Sequence, residues 1–232
     1  NHQSFDAASF VTNAIPSTKL TYAYVDKVQR IFGDTVDMGS HLLQADTKTG
    51  DLGTLSLYGF ALDYKDEGFY GLSTTTYGAR YAGGYAFNSS FKGLWDLEIA
   101  QQDDSGDNPN RVDAGYQRLE LGAAASGWTF KIGHEVLEGD PENGKFTTPL
   151  ATLHAWNGWA DQFLNTPQIG LRDLYVDRGA NWLGIKWAAI YHDFSADEGS
   201  DRYGSEIDLL AVKKFNKHYL VGLKYANFRV DS

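Results

Sequence analysis

The chain has 232 residues, 42% hydrophobic and 14% aromatic, with a formal net charge of -10 and no cysteine. Without cysteine there is no disulfide framework, thiolate metal site or cysteine nucleophile, and an acidic chain with no basic stripe has no surface for phosphate backbones. No run approaches the roughly 18 to 20 apolar residues of a membrane helix. The mean hydropathy of -0.40 still admits a membrane-spanning sheet, whose lipid-facing and water-facing side chains alternate and average to low hydropathy.

With 25 glycines against 5 prolines, and 14 tyrosines, the composition favours strands and tight turns. Asn1-His2-Gln3-Ser4 leads into an alternating segment with no signal peptide before it, and Arg229 to Ser232 follows a strand without a terminal aromatic residue. The protein is therefore expected to continue beyond both ends. Period-two alternation predicts about twelve strands, the first around Ala7 to Ile15 and the third around His41 to Thr49. Further on, Tyr58, Phe60, Leu62 and Tyr64 predict an apolar face, followed by Tyr77, Ala79 and Tyr81 opposite Gly78 and Arg80. Gly83-Gly84 predicts a bulge or close packing inside that strand.

The clearest alternation sets Trp95, Leu97 and Ile99 against Asp96, Glu98 and Ala100. Leu119, Leu121 and Ala123 oppose Arg118, Glu120 and Gly122, and Trp128, Phe130 and Ile132 oppose Thr129, Lys131 and Gly133. Leu183, Ile185, Trp187 and Ala189 oppose Gly184 and Lys186, and Tyr219 to Tyr225 oppose Gly222 and Lys224.

The connections alternate in length. Short turns are predicted at Pro16 to Thr18, Thr49 to Gly53, Asn88 to Gly93, Ser126-Gly127, Gly179-Ala180 and Asn216-Lys217. Long polar loops are predicted at Gly33 to Ser40, Asp66 to Ser73, Asp103 to Asn110, Glu138 to Gly170 and Ser195 to Asp201. Collecting short turns at one end and long loops at the other is the habit of an all-β, up-and-down antiparallel transmembrane barrel, not of a Greek-key sandwich. Trp128, Trp182 and Tyr219 beside short turns, and Tyr24, Tyr191 and Tyr225 toward the long loops, fit two interfacial girdles. A single partial barrel domain over residues 1–232 is expected.

The segments FTTPLATLHAWNGWADQFLNTPQIGLRDLY (Phe146 to Tyr175), IYHDFSADEGSDRYGSEIDL (Ile190 to Leu209), SFDAASF, and LTYAYVDKVQRIFG (Leu20 to Gly33) resemble the alginate-export-type family of Gram-negative outer-membrane porins. The resemblance implies the C-terminal two-thirds of a barrel of about 16 to 18 strands, within the range of such barrels. It implies an outer-membrane channel, with lipid and lipopolysaccharide outside, small hydrophilic solutes or a polysaccharide inside, and no nucleic-acid partner. Passive diffusion of small solutes is one reading of function. Export of an anionic polysaccharide and a soluble carbohydrate-binding β protein are the others.

If the apolar faces meet lipid, the alternate positions line a pore: Arg80, Asp96, Glu98, Arg118, Glu120, Lys131, Glu135, Lys186, Glu206, Asp208 and Lys224. Charges of both signs suit ion-pair ladders in the wall or a transverse field that filters solutes. Residues 138–170 carry Leu153, Trp156, Trp159, Asp161 and Phe163, and apolar spacings near three and four predict a short amphipathic helix that constricts or caps the barrel.

The acidic runs at 103–108 and 197–201 have calcium-like composition without the spacing of an EF-hand. His134-Glu135 and His192-Asp193 are two-residue coincidences rather than metal sites. No nucleophile elbow or phosphate-binding glycine pattern appears. No enzyme activity, metal or cofactor is expected.

Overall fold

The structure is a computed structural model that describes residues 3–151, 154 and 156–231. Its strands are β1 (Ser4–Thr12), β2 (Thr18–Gln29), β3 (Thr35–Lys48), β4 (Gly53–Leu62), β5 (Thr74–Asn88), β6 (Phe91–Asp104) and β7 (Asp113–Ala125). They continue with β8 (Trp128–Leu137), the two-residue pair β9 (Gly139–Asp140) and β10 (Gly144–Lys145), then β11 (Leu171–Trp182), β12 (Ile185–Ser195), β13 (Arg202–Lys214) and β14 (Leu220–Val230). Twelve of these form one sheet in chain order, β1 to β8 and then β11 to β14, each antiparallel to its neighbours. A single 3₁₀ turn, Glu67–Leu72, precedes β5.

At one end the joints are tight: two residues connect β5 to β6, β7 to β8 and β11 to β12. Ser126 and Gly127 turn with φ of 50° and 83°, and Leu183 and Gly184 with 54° and 69°, the left-handed pair that matches strand twist in a two-residue hairpin. The turn predicted at Gly179-Ala180 is thus displaced. Both residues are paired inside β11, and only the Leu183-Gly184 site lets strand alternation run unbroken to Trp182. At the other end, eleven residues join β4 to β5 and eight join β6 to β7. The contrast is weakest at β2–β3, because β3 starts at Thr35 and absorbs most of the predicted loop. Likewise β1 starts three residues earlier than predicted and ends at Thr12.

Because paired residues share a face, the registers sort the side chains into two sets. On one face stand Leu57, Tyr77, Leu97, Ile99, Leu119, Leu121, Phe130, Ile132, Trp187, Ile207, Leu209 and Leu223, all solvent-exposed, Ile99 at 65% and Leu223 at 73%. The other face carries the charges. Strand β4 departs from expectation: Tyr58, Phe60 and Leu62 lie on the charged face, since Tyr58 pairs with Gly78 while Leu57 pairs with Ala79. Both faces of β4 are apolar in sequence, so only cross-strand pairing could choose.

Two buried clusters sit toward the long-connection end. Val25, Val28, Val36, Met38, Leu62 and Tyr64 form one, and Ala114, Leu137, Phe146, Leu171 and Phe194 the other. The second takes in Phe163 from residues 138–170.

Glycines on the charged face make room for tyrosine rings. A Cβ at Gly78 would lie 2.5 Å from the Tyr58 ring, and one at Gly133 would lie 2.1 Å from the Tyr175 ring. Gly83 allows a different approach, since a Cβ there would meet the Leu52 carbonyl oxygen at 1.9 Å, which makes close packing the reading of Gly83. Gly133→Val should therefore destabilise the sheet by about 1 to 3 kcal/mol, the usual cost of overpacking. Guanidinium unfolding of the detergent-refolded protein measures it, and an unchanged midpoint would contradict the packing role.

Candidate functional site: the charged face and the segment across it

Cross-strand register turns isolated charges into rows. One row runs Arg80, Glu98, Arg118, Glu135, Asp173 across β5, β6, β7, β8 and β11, and the next runs Asp96, Glu120, Gly133, Tyr175, His192, Glu206 across β6 to β13. Arg80 grips Asp96 with Nε and Nη2, at 2.7 and 2.6 Å. Arg118 Nη2 stands 3.6 Å from both Asp96 and Glu120, and Lys131 Nζ donates to Glu120 at 2.9 Å. Cations and anions thus alternate over four strands. Such partly wet pairs contribute little to stability individually, but their mutual restraint fixes where each charge points.

Tyrosine hydroxyls complete the ladder. Tyr58 donates to Glu98 at 2.7 Å, Tyr116 to Glu135 at 2.5 Å and Tyr175 to Glu120 at 2.8 Å. Beyond β8 the chemistry turns acidic, with Glu135, Asp173, Glu206 and Asp208 around His192. The His192 Nδ1 edge meets Asp173 at 2.9 Å, and its Nε2 lies 3.8 Å from Asp208. The partner of His192 is therefore Asp173 on the adjacent strand, not its sequence neighbour Asp193, which pairs with Arg202. Lys186 stands exposed near the tight-turn end, opposite Val212. On β14, Lys224 places its ammonium 4.5 Å from the centre of the Trp159 ring and 3.1 Å from His154 Nε2.

Described residues of the segment from Thr147 onward lie over this face. Gln102, buried on β6, uses its whole amide: it donates to Thr76 Oγ1 and the Thr147 carbonyl and accepts from the Thr147 N–H and hydroxyl, at 2.8 to 3.1 Å. Gln3 on the β1 side reaches the Ala151 carbonyl at 3.1 Å. Asn157 donates to Glu135 at 3.0 Å, and the Trp159 N–H to Glu206 at 2.5 Å. Phe163 packs among Phe194, Tyr203 and Phe228, with ring centres 4.6, 5.6 and 5.9 Å away. Asp161 accepts from His154 Nδ1 at 2.8 Å. Trp156 is exposed at 56% and borders the cavity described below.

The predicted helix does not form among the described residues. Asn157, Gly158 and Asp161 have φ of 49°, 91° and 57°, outside the right-handed helical region, and the chain proceeds in turns and bends. Leu153 lies outside the described residues. The roles of Tyr116, Tyr175, Gln102 and Asp173 escaped sequence reading, and Tyr58 and His192 were read without their partners, because a partner one strand away is distant in sequence. Between the segment and the wall is a cavity of about 750 Å³, with Arg80, Arg118, Glu98 and Tyr116 on the charged side and Leu150, Trp156 and Phe163 on the other.

In the acidic loops Asp104 accepts from the Val112 N–H, and Asp197 from Arg172. Among the described residues no group of three or more histidines and carboxylates could hold a metal ion.

The fold has counterparts among solved structures. Pseudomonas aeruginosa OccK5 (OpdH) superimposes with a TM-score of 0.74 over 99% of this chain at 15% identity. The fold is that of a porin barrel wall. P. aeruginosa OccK1 (OpdK) matches with a TM-score of 0.74 over 98% at 16% identity, and Acinetobacter baumannii OccAB4 with 0.71 over 97% at 13%. The chain spans 67%, 64% and 60% of these three porins respectively. No family model and no curated protein matches the sequence. The resemblance read at Phe146 to Tyr175 therefore keeps its coarser content, a porin-type barrel, and the alginate-export assignment finds no support.

Outside the wall, Asp140 organises the β9–β10 turn by accepting from the N–H groups of Glu142 and Asn143, both at 2.6 Å. The Asn143 hydrogen bonds hold its carboxyl below the ordinary value of 3.8. A depressed aspartate contributes in full above its unfolded value and stops contributing as pH falls through the folded one. Hydrogen-exchange protection of the Glu142 and Asn143 amides should be intact above about pH 4 and vanish in stronger acid. Asp140→Ala should remove it at every pH, and protection that survives in the variant would refute the turn's dependence on this carboxylate.

Proposed function

We propose that this chain is the greater part of an outer-membrane porin that conducts small hydrophilic solutes passively, with residues 138–170 narrowing the passage. The observation that carries the reading is the division of the sheet into an exposed apolar face and a charged face crossed by its own polypeptide. An apolar face of this extent needs a cover, at roughly 25 cal/mol per Å² left in water. Lipid supplies one without a partner protein, and a twelve-stranded up-and-down sheet with tight joints at one end is how such walls are built. A soluble carbohydrate-binding protein would instead turn Leu119, Leu121, Phe130 and Ile132 inward.

The charged face becomes the lumen, and Arg80, Asp96, Glu98, Arg118, Glu120, Lys131, Glu135, Lys186, Glu206, Asp208 and Lys224 line it. OpdK has been crystallised with vanillate. A small solute carrying both a carboxylate and an apolar ring would fit a cavity that sets Arg80 and Arg118 against Trp156 and Phe163. Export of a polyanion is disfavoured, because Arg80, Arg118 and Lys131 already face Asp96 and Glu120. Such a conduit requires positive charge left over for its cargo.

Two measurements on the full-length protein in planar bilayers test this. Removing residues 152–165 should raise single-channel conductance about twofold or more, as widening a constriction does. Absence of any conductance in the parent protein would sink the channel, and an unchanged value after deletion would sink the constriction. Combining Asp96→Asn with Glu120→Gln releases Arg80, Arg118 and Lys131 from their partners and should move the reversal potential in a salt gradient toward anion preference. No movement would show that the ladder does not face the permeating ions.

A further inference from the structure

The tightest contact between residues 138–170 and the wall is made by a carboxylate. The N–H groups of Trp159 and Ala160 both donate to Glu206 Oε1, at 2.5 and 2.7 Å, and the Trp159 N–H also reaches Asp208 Oδ2 at 3.1 Å. The left-handed φ values of Asn157 and Gly158 curl the backbone so that successive N–H groups converge, the arrangement that makes a nest for an anion. Position 158 must also be bare, since a Cβ there would stand 2.6 Å from Glu206 Oε2. The turn is shaped around this one carboxylate.

Glu206 and Asp208, two residues apart on one face of β13, are 1% and 0% exposed. Both carboxylates meet the same Trp159 N–H, Glu206 Oε1 at 2.5 Å and Asp208 Oδ2 at 3.1 Å, which sets them side by side. Among the described residues, Glu206 Oε2 and Asp208 Oδ1 are buried with no hydrogen-bond partner. Two carboxylates have no hydrogen to share, whereas a carboxylic acid beside a carboxylate has one.

The charges around the pair among the described residues provide no dedicated counter-ion. On β12, His192 is engaged through Nδ1 by Asp173 of β11, so any positive charge it carries is divided between Asp173 and Asp208. Glu135 on β8 adds a further acid, occupied by Tyr116 and Asn157. Opposite the pair on β14 are Phe228 and Ala226, while Lys224 is turned toward Trp159 and His154. Within the crossing segment, His154 is bonded to Asp161. With no metal-holding group among the described residues, a proton is the smallest cation that satisfies both orphaned oxygens.

We propose that Glu206 and Asp208 act as a one-proton latch, a carboxylic acid bound to a carboxylate, which fastens the crossing segment to the wall and makes the width of the passage depend on that proton. The latch rests on the channel reading above for its effect on conduction, though not for its chemistry. With one proton on the pair, the charge that remains is taken up by the nest of N–H groups. When alkali removes the proton, two buried anions repel and the nest can satisfy only one, so the segment loosens. Asp208→Asn keeps a neutral donor beside Glu206 at every pH and should hold the latch closed. Glu206→Gln removes the anion that the nest requires and should open it already at neutral pH.

The test is single-channel conductance of the full-length protein from about pH 6 to about pH 10, a range that brackets a buried carboxyl pair. Hydrogen-exchange protection of the Trp159 and Ala160 amides in micelles is measured alongside. Wild-type conductance should rise by about twofold across the range as the constriction releases, with loss of protection. Asp208→Asn should stay low and protected, and Glu206→Gln should be high and unprotected throughout. Wild-type amides that stay protected in alkali, or an Asp208→Asn protein that tracks wild type, would overturn the latch. Amides that behave as stated in a protein without conductance would overturn the channel and leave the latch standing. Heat-modifiable migration on gels confirms that each variant is folded, and the conservative changes keep side-chain volume.

Discussion

The two faces of this sheet depend on the antiparallel hydrogen-bond ladder that runs from β1 to β8 and then through β11 to β14, with register shifts near Asp6, Val25, Ala86 and Phe194. Because the ladder satisfies the backbone strand by strand, side chains are free to separate completely into two chemistries. The twist and register of neighbouring strands then bring residues far apart in sequence within a few ångströms. Arg80 and Asp96 are sixteen positions apart, and Tyr175 and Glu120 fifty-five. Neither pair exists without the ladder.

The charged face is self-neutralising on one side and acidic on the other. From β5 to β8, cations and carboxylates alternate and tyrosine hydroxyls donate to Glu98, Glu120 and Glu135, which holds fixed charge in place without quenching it. From β8 to β13 the acids outnumber the bases, and there the protein lays its own backbone across the wall. Unpaired N–H groups at a left-handed turn and surplus carboxylates are complementary deficits. The crossing segment and the acidic wall satisfy each other.

A segment held to the wall in this way differs from a helix laid on the same face. A helix uses its own N–H groups internally and would offer the wall only side chains. The irregular path through Asn157, Gly158 and Asp161 leaves N–H groups for Glu206 and carbonyls for Lys145 and Tyr203, which donate to Thr166 and Gly170. Phe163, set among Phe194, Tyr203 and Phe228, supplies the apolar part of the anchorage. Together these contacts tie the segment to β12, β13 and β14, beyond the two strands β8 and β11 that it connects.

Alternation in β6, β7, β8, β12 and β14 was legible in the sequence because each of these strands has one apolar and one polar face, and a side-chain period of two needs no knowledge of the partner strand. The tight joint at Ser126-Gly127 was legible for a similar local reason, since turn residues carry their conformational preference with them, whereas the turn expected at Asn216-Lys217 widens to five residues between β13 and β14. The faces of β4 were not, because both are apolar and only the pairing of Tyr58 with Gly78 decides between them. Nor was the turn at Leu183-Gly184, where Gly179 offered an equally good local signal and cross-strand register alone excluded it. The helix expected in residues 138–170 failed for the complementary reason: its apolar spacing is genuine, but those side chains are drawn to different strands, and the backbone follows the carboxylates. By itself the sequence determined that this is a two-faced antiparallel sheet with charge on one side. Which charge meets which, and where the chain crosses its own wall, only the tertiary structure decided, because those choices lie in contacts between strands.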